Sequence, residues 1–304
     1  MNPYYKEYSD FLATVFDGKV QKLSVDLALS CPNRDGTLGR GGCIYCNNSA
    51  FSPDPEKRGL SVSCQLARGK EFFARKYPHM RYLAYFQSYT GTYAAHDILM
   101  HAYAEALADG DVVGLVIGTR PDCLPDQLQS RLKSLEEQTG KTIMIEFGVE
   151  SLHDVTLERI NRRHSAATAE DAIRRTAAAG FHVGVHLIMG LPGENEDMMT
   201  ATVRRISELP VSTVKFHQLQ LLRGTEMARM EERGELDDIH WFSPEEYAAL
   251  CVRLLGSLRP DIAVDRFVAQ APANLLIKPC WGLKNYQFTA IVQRMLSETR
   301  SDVR

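Results

Sequence analysis

The 304 residues contain no apolar run that approaches the roughly 20 residues needed to cross a bilayer. The first residues, MNPYYKEYSDF, also lack the charged-then-apolar order of a signal peptide. We therefore expect a cytoplasmic protein with no membrane partner. No repeat of fixed period and no low-complexity stretch occurs. The hydrophobic fraction of 44% and the charged fraction of 24% indicate an ordinary globular chain.

A basic excess is also missing, because the formal net charge is −3. The chain as a whole therefore carries no field that favours nucleic acid, although a local basic patch can override the net charge. Complete disulfide pairing is excluded because the seven cysteines are an odd number. In a reducing compartment, a close cysteine cluster indicates metal binding rather than disulfides.

Short apolar runs alternate with longer helical patterns along most of the chain. The predicted strands are Lys22–Ala28, Tyr82–Gln87, Val112–Ile117, Thr142–Gly148, His182–Met189 and Thr213–Leu221. The predicted helices are Gln65–Lys76, His96–Ala108, Pro125–Glu137, Thr168–Ala179 and Glu196–Glu208. Runs such as IMIEFG and VGVHLIMG are almost continuously apolar, which is typical of parallel strands covered on both faces. This alternation predicts an α/β fold, a partial (β/α)6 barrel with its chemistry at the carboxyl ends of the strands.

Two helix starts and one helix end carry local signals. Thr168 with Asp171 resembles a capping box, and Gly180 stands where a C-terminal glycine belongs. Ser243 is followed by a first-turn proline and by Glu246 three residues on, which predicts another capped helix.

The last sixty residues break the alternation. A helix at Glu245–Leu258, a strand at Ile262–Val268 and a closing helix near Tyr286–Leu296 are expected there. We therefore predict a core barrel with its N-terminal segment over residues 1–240. Residues 241–304 are predicted to form a C-terminal α/β extension packed on that barrel.

Three cysteines follow the first predicted strand directly. Cys31, Cys43 and Cys46 form the pattern C-x11-C-x2-C in the segment LSCPNRDGTLGRGGCIYC. Thiolates are the ligands that iron–sulfur clusters require, and three of them leave one iron of a [4Fe–4S] cluster open. The intervening glycines let the backbone bend tightly and direct N–H groups at the cluster sulfurs.

A structural zinc site is the alternative, because zinc takes four closed ligands and Cys64 could be the fourth. Spacing alone leaves this alternative open. The position of the cysteines between a strand and a helix of a βα series favours the cluster, since zinc ribbons usually lie on hairpins. The remaining Cys123, Cys251 and Cys280 are predicted to be small buried hydrophobes.

The run CPNRDGTLGRGGCIYC resembles the cluster loop of the radical S-adenosylmethionine superfamily, and more narrowly that of its YhcC/YtqA subfamily. The barrel of this subfamily is related to that of the Elongator catalytic subunit. The usual spacing is C-x3-C-x2-C, and the longer first gap of this chain is shared by the subfamily. Further matching segments cover nearly the full length: AYFQSYTGTYA, GTRPDCLP, EFGVESLHDVTLERINRRHS, GVHLIMGLPGE and VKFHQLQLLRGTEM. Arg163 departs from the pattern, because a glycine is expected there.

The resemblance implies a set of site residues. The three cysteines Cys31, Cys43 and Cys46 would hold the catalytic [4Fe–4S] cluster, and residues at the ends of the later strands would bind S-adenosylmethionine. The residues after the second strand would receive the methionine amino group, Glu146 and Glu150 would contact the cofactor, and the fifth strand end would border the adenine. The implied cofactor-binding residues are Gln87, Ser88, Tyr89, Thr90, Glu146, Glu150, Gly190 and Pro192. The alternatives are a polar loop after strand two, a carboxylate at a helix N-terminus and a plain strand–helix turn.

Cations are frequent in the strand-end segments and would suit a phosphodiester backbone. They are Arg34, Arg40, Arg120, Arg162, Arg163, Lys215, His217 and Arg223. Solvated charge is the default alternative for any single one of them, and His217 also fits a satisfied core histidine. Asp122 fits a turn or cap. The tyrosines at 4, 5 and 8 are expected to anchor the N-terminal segment rather than to stack on bases.

The resemblance implies reductive cleavage of S-adenosylmethionine to a 5′-deoxyadenosyl radical that takes a hydrogen atom from the substrate. The YtqA side of the subfamily implies transfer RNA, with the carboxymethylaminomethyl group of the wobble uridine converted to aminomethyl. A flavodoxin or ferredoxin would supply the electron. The first alternative is a radical enzyme acting on a small molecule or a protein side chain. The second is a non-catalytic zinc-binding adaptor, which requires Cys64.

Overall fold

A computed structural model describes residues 2–50, 59–74 and 79–301. Within these ranges the strands are β1 Val20–Val25, β2 Arg81–Phe86, β3 Val112–Thr119, β4 Thr142–Glu150, β5 His182–Met189, β6 Thr213–Gln218, β7 Leu221–Leu222, β8 Ala263–Arg266 and β9 Leu276–Lys278. The helices are α1 Tyr8–Val15, α2 Pro32–Asp35, α3 Val62–Ala74, α4 His96–Ala108, α5 Asp126–Thr139, α6 Asp154–Arg159, α7 Ala166–Ala178, α8 Glu196–Ser207, α9 Glu226–Glu232, α10 Pro244–Ser257 and α11 Asn285–Ser301.

The main sheet has seven strands in the order β1-β2-β3-β4-β5-β6-β8, and each neighbouring pair is parallel. The sheet curls into a half-barrel with helices on its outer face. The predicted α/β partial barrel is therefore confirmed, and β8 from the C-terminal part extends the six predicted strands by one. The carboxyl ends of all seven strands meet at one edge, which is where a parallel barrel places its chemistry.

Several predicted elements agree with the structure, and two strands were predicted too long, since the first ends at Val25 rather than at Ala28. α4 and β5 have the predicted bounds. β6 ends at Gln218, and Leu221–Leu222 instead form β7, which pairs antiparallel with β9. An apolar run in the sequence does not record this change of partner. The predicted helix at Gln65–Lys76 corresponds to α3, although its last two residues lie outside the described ranges.

The two predicted capping boxes had different outcomes. Ser243 caps α10 as predicted. Its side chain accepts from the backbone N–H of Glu246, and the side chain of Glu246 accepts from the backbone N–H of Ser243. The prediction for α7 was wrong, because the cap is Ser165, whose side chain accepts from the backbone N–H of Thr168 at 3.2 Å. Both Ser165 and Thr168 are cap-type residues, and the helix begins at the earlier one.

Two apolar layers hold the half-barrel together. The larger one lies between the outer face of the sheet and the helices, and includes Tyr103, Phe147 and Phe216. The smaller one fills the barrel bottom, where Phe11 and Leu12 of α1 pack on the inward side chains of the strands. Burial of these apolar faces is the main favourable term in the stability of such a fold.

The N-terminal segment is anchored rather than free for stacking. Glu7 forms a parallel bridge with Val264 of β8, the ring of Tyr5 meets Phe267 edge-on, and Tyr8 packs against Phe11. The expected anchoring role of these tyrosines is therefore confirmed for Tyr5 and Tyr8. The segment closes the barrel bottom beside its open edge.

A buried ion-pair network joins the two edge strands across the barrel. Lys22 of β1 donates to Glu146 of β4 at 2.9 Å and to Asp265 of β8 at 2.7 Å. Lys215 of β6 lies 2.5 Å from Glu146 and 3.4 Å from Asp265. β1 and β8 share no backbone ladder in the described residues. The side chains of this network therefore span the opening between them.

The pKa values of the network follow from this pairing. Burial opposes ionisation of Glu146, yet Lys215 and Lys22 hold its pKa well below the usual range. Burial opposes ionisation of Asp265 too, and the same two lysines bring its pKa down to about 2. Burial lowers the pKa of Lys215 to about 8. At pH 7 both carboxylates and both lysines therefore carry charge.

The described residues contain no helix that is long and apolar enough to cross a membrane. The division of the chain after residue 240 stays a prediction. β8, which lies beyond that point, is a full member of the main sheet.

We expect Lys22→Met to lower the free energy of unfolding by about 3 kcal/mol, because it leaves buried carboxylates short of one cation. Lys70→Met is the matched control. Lys70 also bridges two carboxylates, but its side chain is 25% exposed against 15% for Lys22, and Asp111 is 61% exposed. The control should lose at most about 1 kcal/mol. Urea unfolding measures the free energy of unfolding of both variants. Equal losses would show that the buried network stabilises the fold no more than the exposed ion pairs of Lys70 do.

Candidate active site

One cavity of about 730 Å³ occupies the barrel interior and opens at the carboxyl ends of the strands. All three candidate ligands, Cys31, Cys43 and Cys46, line it. Its walls continue downward to the buried ion-pair network and to residues of β8. A single space thus connects the three thiols with the charged interior of the barrel.

The loop that carries the cysteines is held by the segment after β4. The backbone N–H of Ile44 donates to the carbonyl of Ile160 at 3.1 Å. The side chain of Asn33 donates to the carbonyl of Asn161 at 2.6 Å, and Asn161 in turn donates to the carbonyl of Gly42 at 2.7 Å. These bonds fix the loop from outside, so the thiols are not needed to hold their own backbone in place.

Two side chains direct N–H groups at one of the thiols. Arg162 Nη1 and Asn33 Nδ2 each lie 3.6 Å from Cys43 Sγ. Burial and the neighbouring Cys43 thiol raise the pKa of Cys46 to about 12, while Arg34 and Arg162 act in the opposite direction. Metal ligation by these thiols therefore releases protons, and the arginines favour the thiolate form.

Arg162 also organises the end of β4. Its guanidinium donates to the carbonyl of Gly148, lies 3.4 Å from Glu150 Oε1 and donates through Nε to His164 at 3.0 Å. Burial and the charge of Arg162 lower the pKa of His164 to about 3, so this ring is neutral and accepts. A Cβ at Gly148 would come within 2.7 Å of Arg162 Nη2, so only glycine leaves room for the arginine here.

The donor set fits a cluster better than a single zinc ion. Among the residues described, no group of three or more His, Cys, Asp or Glu side chains is arranged to hold one metal ion. A [4Fe–4S] cluster distributes its thiolates over different irons and needs them further apart. Cys64 is exposed on α3 and does not line the cavity, so the structure offers it no place as a fourth ligand.

The other cysteine predictions were partly right. Cys123 and Cys251 are buried, as expected, whereas Cys280 is exposed. Cys280 lies in the segment that follows β9, and its thiol contacts the carbonyl of Ile277 at 3.2 Å. Local sequence could not reveal that this segment covers the barrel from the outside.

The end of β2 presents polar atoms that have no partner among the described residues. Gln87, Tyr89 and Thr90 line the cavity, whereas Ser88 is buried beside it. Thr90 Oγ1 is buried without a hydrogen bond, and so is Nδ2 of Asn48, whose Oδ1 accepts from the backbone of Tyr89 at 3.1 Å. Buried polar atoms of this kind usually meet a ligand or water.

The backbone around the cavity is strained. The described non-glycine residues with positive φ are Ala28, Tyr89, Glu150, Asn161 and Arg163. All of them follow or end β1, β2 or β4, at the edge where the cysteines lie. Strain of this kind costs about 1 to 3 kcal/mol per residue and persists where function requires the geometry. The expected glycine at 163 agrees with its φ of 63°, which favours glycine.

The remaining predicted residues fall into two groups. Glu146 and Glu150 both line the cavity, but Glu146 is already satisfied by lysines and by His186 Nε2 at 3.1 Å. Gly190 and Pro192 do not line the cavity. Gly190 has φ of 85°, and a Cβ there would meet the ring of Phe242 at 3.0 Å. Their cofactor roles stay predictions.

The candidate cations also separate into buried and exposed groups. Arg120 is buried and paired with Asp122 at 2.8 Å, and Asp122 lies in the short 3-10 turn Pro121–Cys123, in agreement with the turn position considered for it. Arg162 and Lys215 are buried and paired as described above. The exposed members stand on the cysteine loop, after β4 and after β7, and make no ion pair within the described ranges: Arg34, Arg40, Arg163 and Arg223.

The alternative of a satisfied core histidine for His217 does not agree with the structure. Its Nε2 is buried, lines the cavity and has no hydrogen-bond partner among the described residues. Burial lowers its pKa well below the usual range, and Arg266 acts in the same direction. Its ring lies 5.6 Å from that of His186.

Several cavity residues were missed by sequence reasoning. Some of them lie inside apolar strand patterns, where a single polar residue at an inward position was the only signal. The others lie in the C-terminal part. The missed residues are Lys22, His186, Asp265, Arg266 and Asn285.

A parallel half-barrel with three cysteines at the strand ends is the architecture of iron–sulfur enzymes that use S-adenosylmethionine. The model of the Radical SAM superfamily matches residues 36–206, and that of the Radical_SAM C-terminal domain matches residues 211–298. The chain belongs to the radical SAM superfamily. The cofactors of this family are a [4Fe–4S] cluster and S-adenosylmethionine.

Curated relatives cover nearly the whole chain. Protein YhcC of Escherichia coli (strain K12) is 36% identical over 280 residues, which is 92% of this chain and 88% of that protein. YtqA of Bacillus subtilis (strain 168) is 33% identical over 286 residues, 94% of this chain and 87% of that protein. A tRNA uridine(34) acetyltransferase of Methanocaldococcus jannaschii is 28% identical over 199 residues, 63% of this chain and 34% of that protein.

Among solved structures, Elp3 of Methanocaldococcus infernus superposes with a TM-score of 0.68 at 18% identity. The match covers 93% of this chain and 64% of that chain, so this chain spans less than two thirds of the Elp3 structure. The likeness supports the shared half-barrel fold.

We expect Arg162→Met to reduce retention of reconstituted iron about 10- to 100-fold, because residues that bond to metal ligands contribute by roughly this amount. Iron remaining after incubation with a chelator measures the effect. Arg159→Met is the control, because Arg159 lies three residues earlier on α6, is part-exposed and pairs with Asp238. Equal retention in the two variants would contradict the role given to Arg162.

Proposed function

We propose that this enzyme cleaves S-adenosylmethionine reductively and modifies the wobble uridine of transfer RNA, converting its carboxymethylaminomethyl group to aminomethyl. The observation that carries the proposal is the cavity itself. Three cysteines line it beyond the end of β1, and arginines without ion pairs stand on the cysteine loop and on the segments after β4 and β7.

Cys31, Cys43 and Cys46 would hold the cluster, with Arg162 and Asn33 donating toward Cys43. Thr90 and Asn48 offer buried polar atoms without partners at the end of β2, where S-adenosylmethionine would place its amino acid portion. Glu150 lines the same space and could accept from ribose hydroxyls.

When bound and reduced, the cluster supplies the electron that cleaves S-adenosylmethionine to methionine and a 5′-deoxyadenosyl radical. The residues of this chain position the reactants and exclude water. α1 closes the barrel bottom with Phe11 and Leu12, and the cysteine loop covers the upper edge. A radical formed inside such a cavity meets the substrate before it meets solvent.

The exposed arginines support a phosphodiester substrate. Arg34, Arg40, Arg163 and Arg223 lack carboxylate partners, whereas exposed arginines elsewhere, such as Arg205, are commonly paired. A carboxylate partner neutralises the charge of an arginine. The four arginines without such partners therefore make the potential at the mouth positive, although the net charge of the chain is −3. Phosphate contacts provide most of the affinity in RNA and DNA binding.

An aromatic ring stands beside this cationic surface. The guanidinium of Arg34 lies 5.2 Å from the ring centre of Tyr89 at the cavity wall. Arginine and aromatic faces are the surfaces on which splayed RNA bases stack. The name of one relative, a tRNA uridine(34) acetyltransferase, refers to the wobble base and supports this substrate class.

The first test is anaerobic cleavage of S-adenosylmethionine. Wild-type protein reconstituted with iron and sulfide, and reduced with dithionite or flavodoxin, should produce 5′-deoxyadenosine. Cys43→Ala should form 5′-deoxyadenosine at least about 100-fold more slowly, because one ligand of the cluster is missing. Cys64→Ala should match wild type because Cys64 is exposed and away from the cavity. If the wild-type protein forms no 5′-deoxyadenosine and retains zinc that depends on Cys64, the zinc-binding adaptor would be supported instead.

The second test addresses the substrate. Transfer RNA bearing carboxymethylaminomethyluridine should yield aminomethyluridine on nucleoside analysis. Arg40→Ala and Arg223→Ala should weaken RNA binding, and each should reduce the slope of log affinity against log salt by about 0.7. Arg204→Ala, an exposed arginine on the outer helix α8, should leave the slope unchanged. Cleavage of S-adenosylmethionine without any change to RNA would favour a small molecule or a protein side chain as substrate.

A further inference from the structure

The lower part of the cavity holds one cation more than its carboxylates can neutralise. Lys22 and Lys215 balance Glu146 and Asp265 in the buried network. Arg266 of β8 lines the same space and has no ion pair or hydrogen bond within the described ranges. The described wall of this part of the cavity therefore carries net positive charge.

An irregularity in the sheet turns this arginine inward. Val214 pairs with Val264, but the next residue, Lys215, pairs with Arg266, so Asp265 is an extra residue in β8. Successive residues of a regular strand point to opposite faces, whereas a bulge allows two neighbours to share one face. Asp265 and Arg266 accordingly both line the cavity.

The neighbours of Arg266 add directed polar atoms without partners. His217 Nε2 is buried, faces the cavity and has no hydrogen bond among the described residues. Arg266 pairs in register with Lys215 of β6, two positions before His217, and the side chains of Arg266 and His217 line the same cavity. Asn285, the first residue of α11, adds a buried Oδ1 acceptor in the same lining. These atoms offer donors for an anion and an acceptor for an N–H group.

These groups are distinct from those that serve the cofactors. The cysteines follow β1, the loop that holds them follows β4, and the unpartnered atoms of Thr90 and Asn48 lie at the end of β2. Arg266 lies on β8, which carries none of the residues assigned above to the cluster or to S-adenosylmethionine.

We propose that Arg266, together with His217, binds a carboxylate of the substrate, and that Asn285 accepts a hydrogen bond from a neighbouring substrate amine. The site therefore suits a side group that carries both a carboxylate and a protonated amine. The inference rests on the proposed function, because the carboxymethylaminomethyl group is such a group. It also defines the chemistry that any other substrate would need.

The test compares two nucleosides in protein that bears the cluster and S-adenosylmethionine but no reductant, so that nothing turns over. The probes are 5-carboxymethylaminomethyluridine and its carboxamide, which differs by loss of the negative charge. Wild type should bind the acid about 10- to 100-fold more tightly than the amide, as expected for a charge-assisted hydrogen bond. Arg266→Met should abolish this preference, and Arg266→Lys should keep part of it.

Arg204→Met is the matched control and should keep the full preference, because Arg204 lies on the outer helix α8. Thermal unfolding shows whether each variant is folded. If Arg266→Met does not fold, the comparison of Arg266→Lys with wild type still tests the proposal. Equal binding of acid and amide by wild type would overturn the proposal. So would a preference that survives in Arg266→Met, since another cation would then bind the carboxylate.

Two further measurements separate this inference from the function on which it rests. A fall in the affinity for S-adenosylmethionine in Arg266→Met, equal to the fall for the acid, would assign Arg266 to the cofactor and overturn the proposal. N-ethylglycine carries the same carboxylate and amine without a nucleoside. If it binds in an Arg266-dependent manner while neither nucleoside binds, the carboxylate site stands and the transfer RNA substrate fails.

Discussion

The ion pairs between Lys22 and Asp265, and between Lys215 and Glu146, are the contacts on which this half-barrel depends. A parallel sheet of seven strands has two open edges, and here the edges β1 and β8 meet through side chains instead of a backbone ladder. Charges placed this deep carry a large desolvation penalty, which their mutual attraction offsets only while every partner is present. The network therefore fixes how far the sheet can open. It sets the width of the cavity and thereby the space available to cofactor and substrate.

The upper part of the site is controlled by the segment after β4. Asn161 and Arg162 hold the cysteine loop through backbone carbonyls and through the Cys43 thiol, and the same arginine contacts Glu150. One short segment thus joins the cysteine loop to the end of β4, which carries Glu150. Its strained backbone at Asn161 and Arg163 is consistent with a geometry kept for function. Replacement of the loop cysteines would leave these supports intact, because the supports bond mainly to backbone atoms.

The distribution of charge separates stability from recognition. Deep in the barrel, two lysines and two carboxylates neutralise each other, and on much of the outer surface arginines are paired with acids. Among the described residues, Arg34 and Arg266 line the cavity without an ion pair, and Arg40, Arg163 and Arg223 stand on the cysteine loop, after β4 and after β7. A protein of net charge −3 can therefore present an anion-binding interior and rim, since recognition depends on local field and not on the total. The acidic total reflects the remainder of the surface.

The sequence by itself determined the half-barrel class and the order of six strands, and it predicted the three cysteines as the ligand set. Apolar runs, cap residues and the C-x11-C-x2-C spacing are local signals that hold whatever the chain packs against. It predicted the strand at Ile262–Val268 but not its place in the main sheet, the partners of Glu146 or the unpartnered nitrogen of His217, because these depend on residues far away in the chain. Lys22 and Asp265 are separated by 243 positions and meet only when the sheet curls. The bulge at Asp265 likewise arises from pairing with β6, so only the tertiary structure decided that Arg266 faces the cavity.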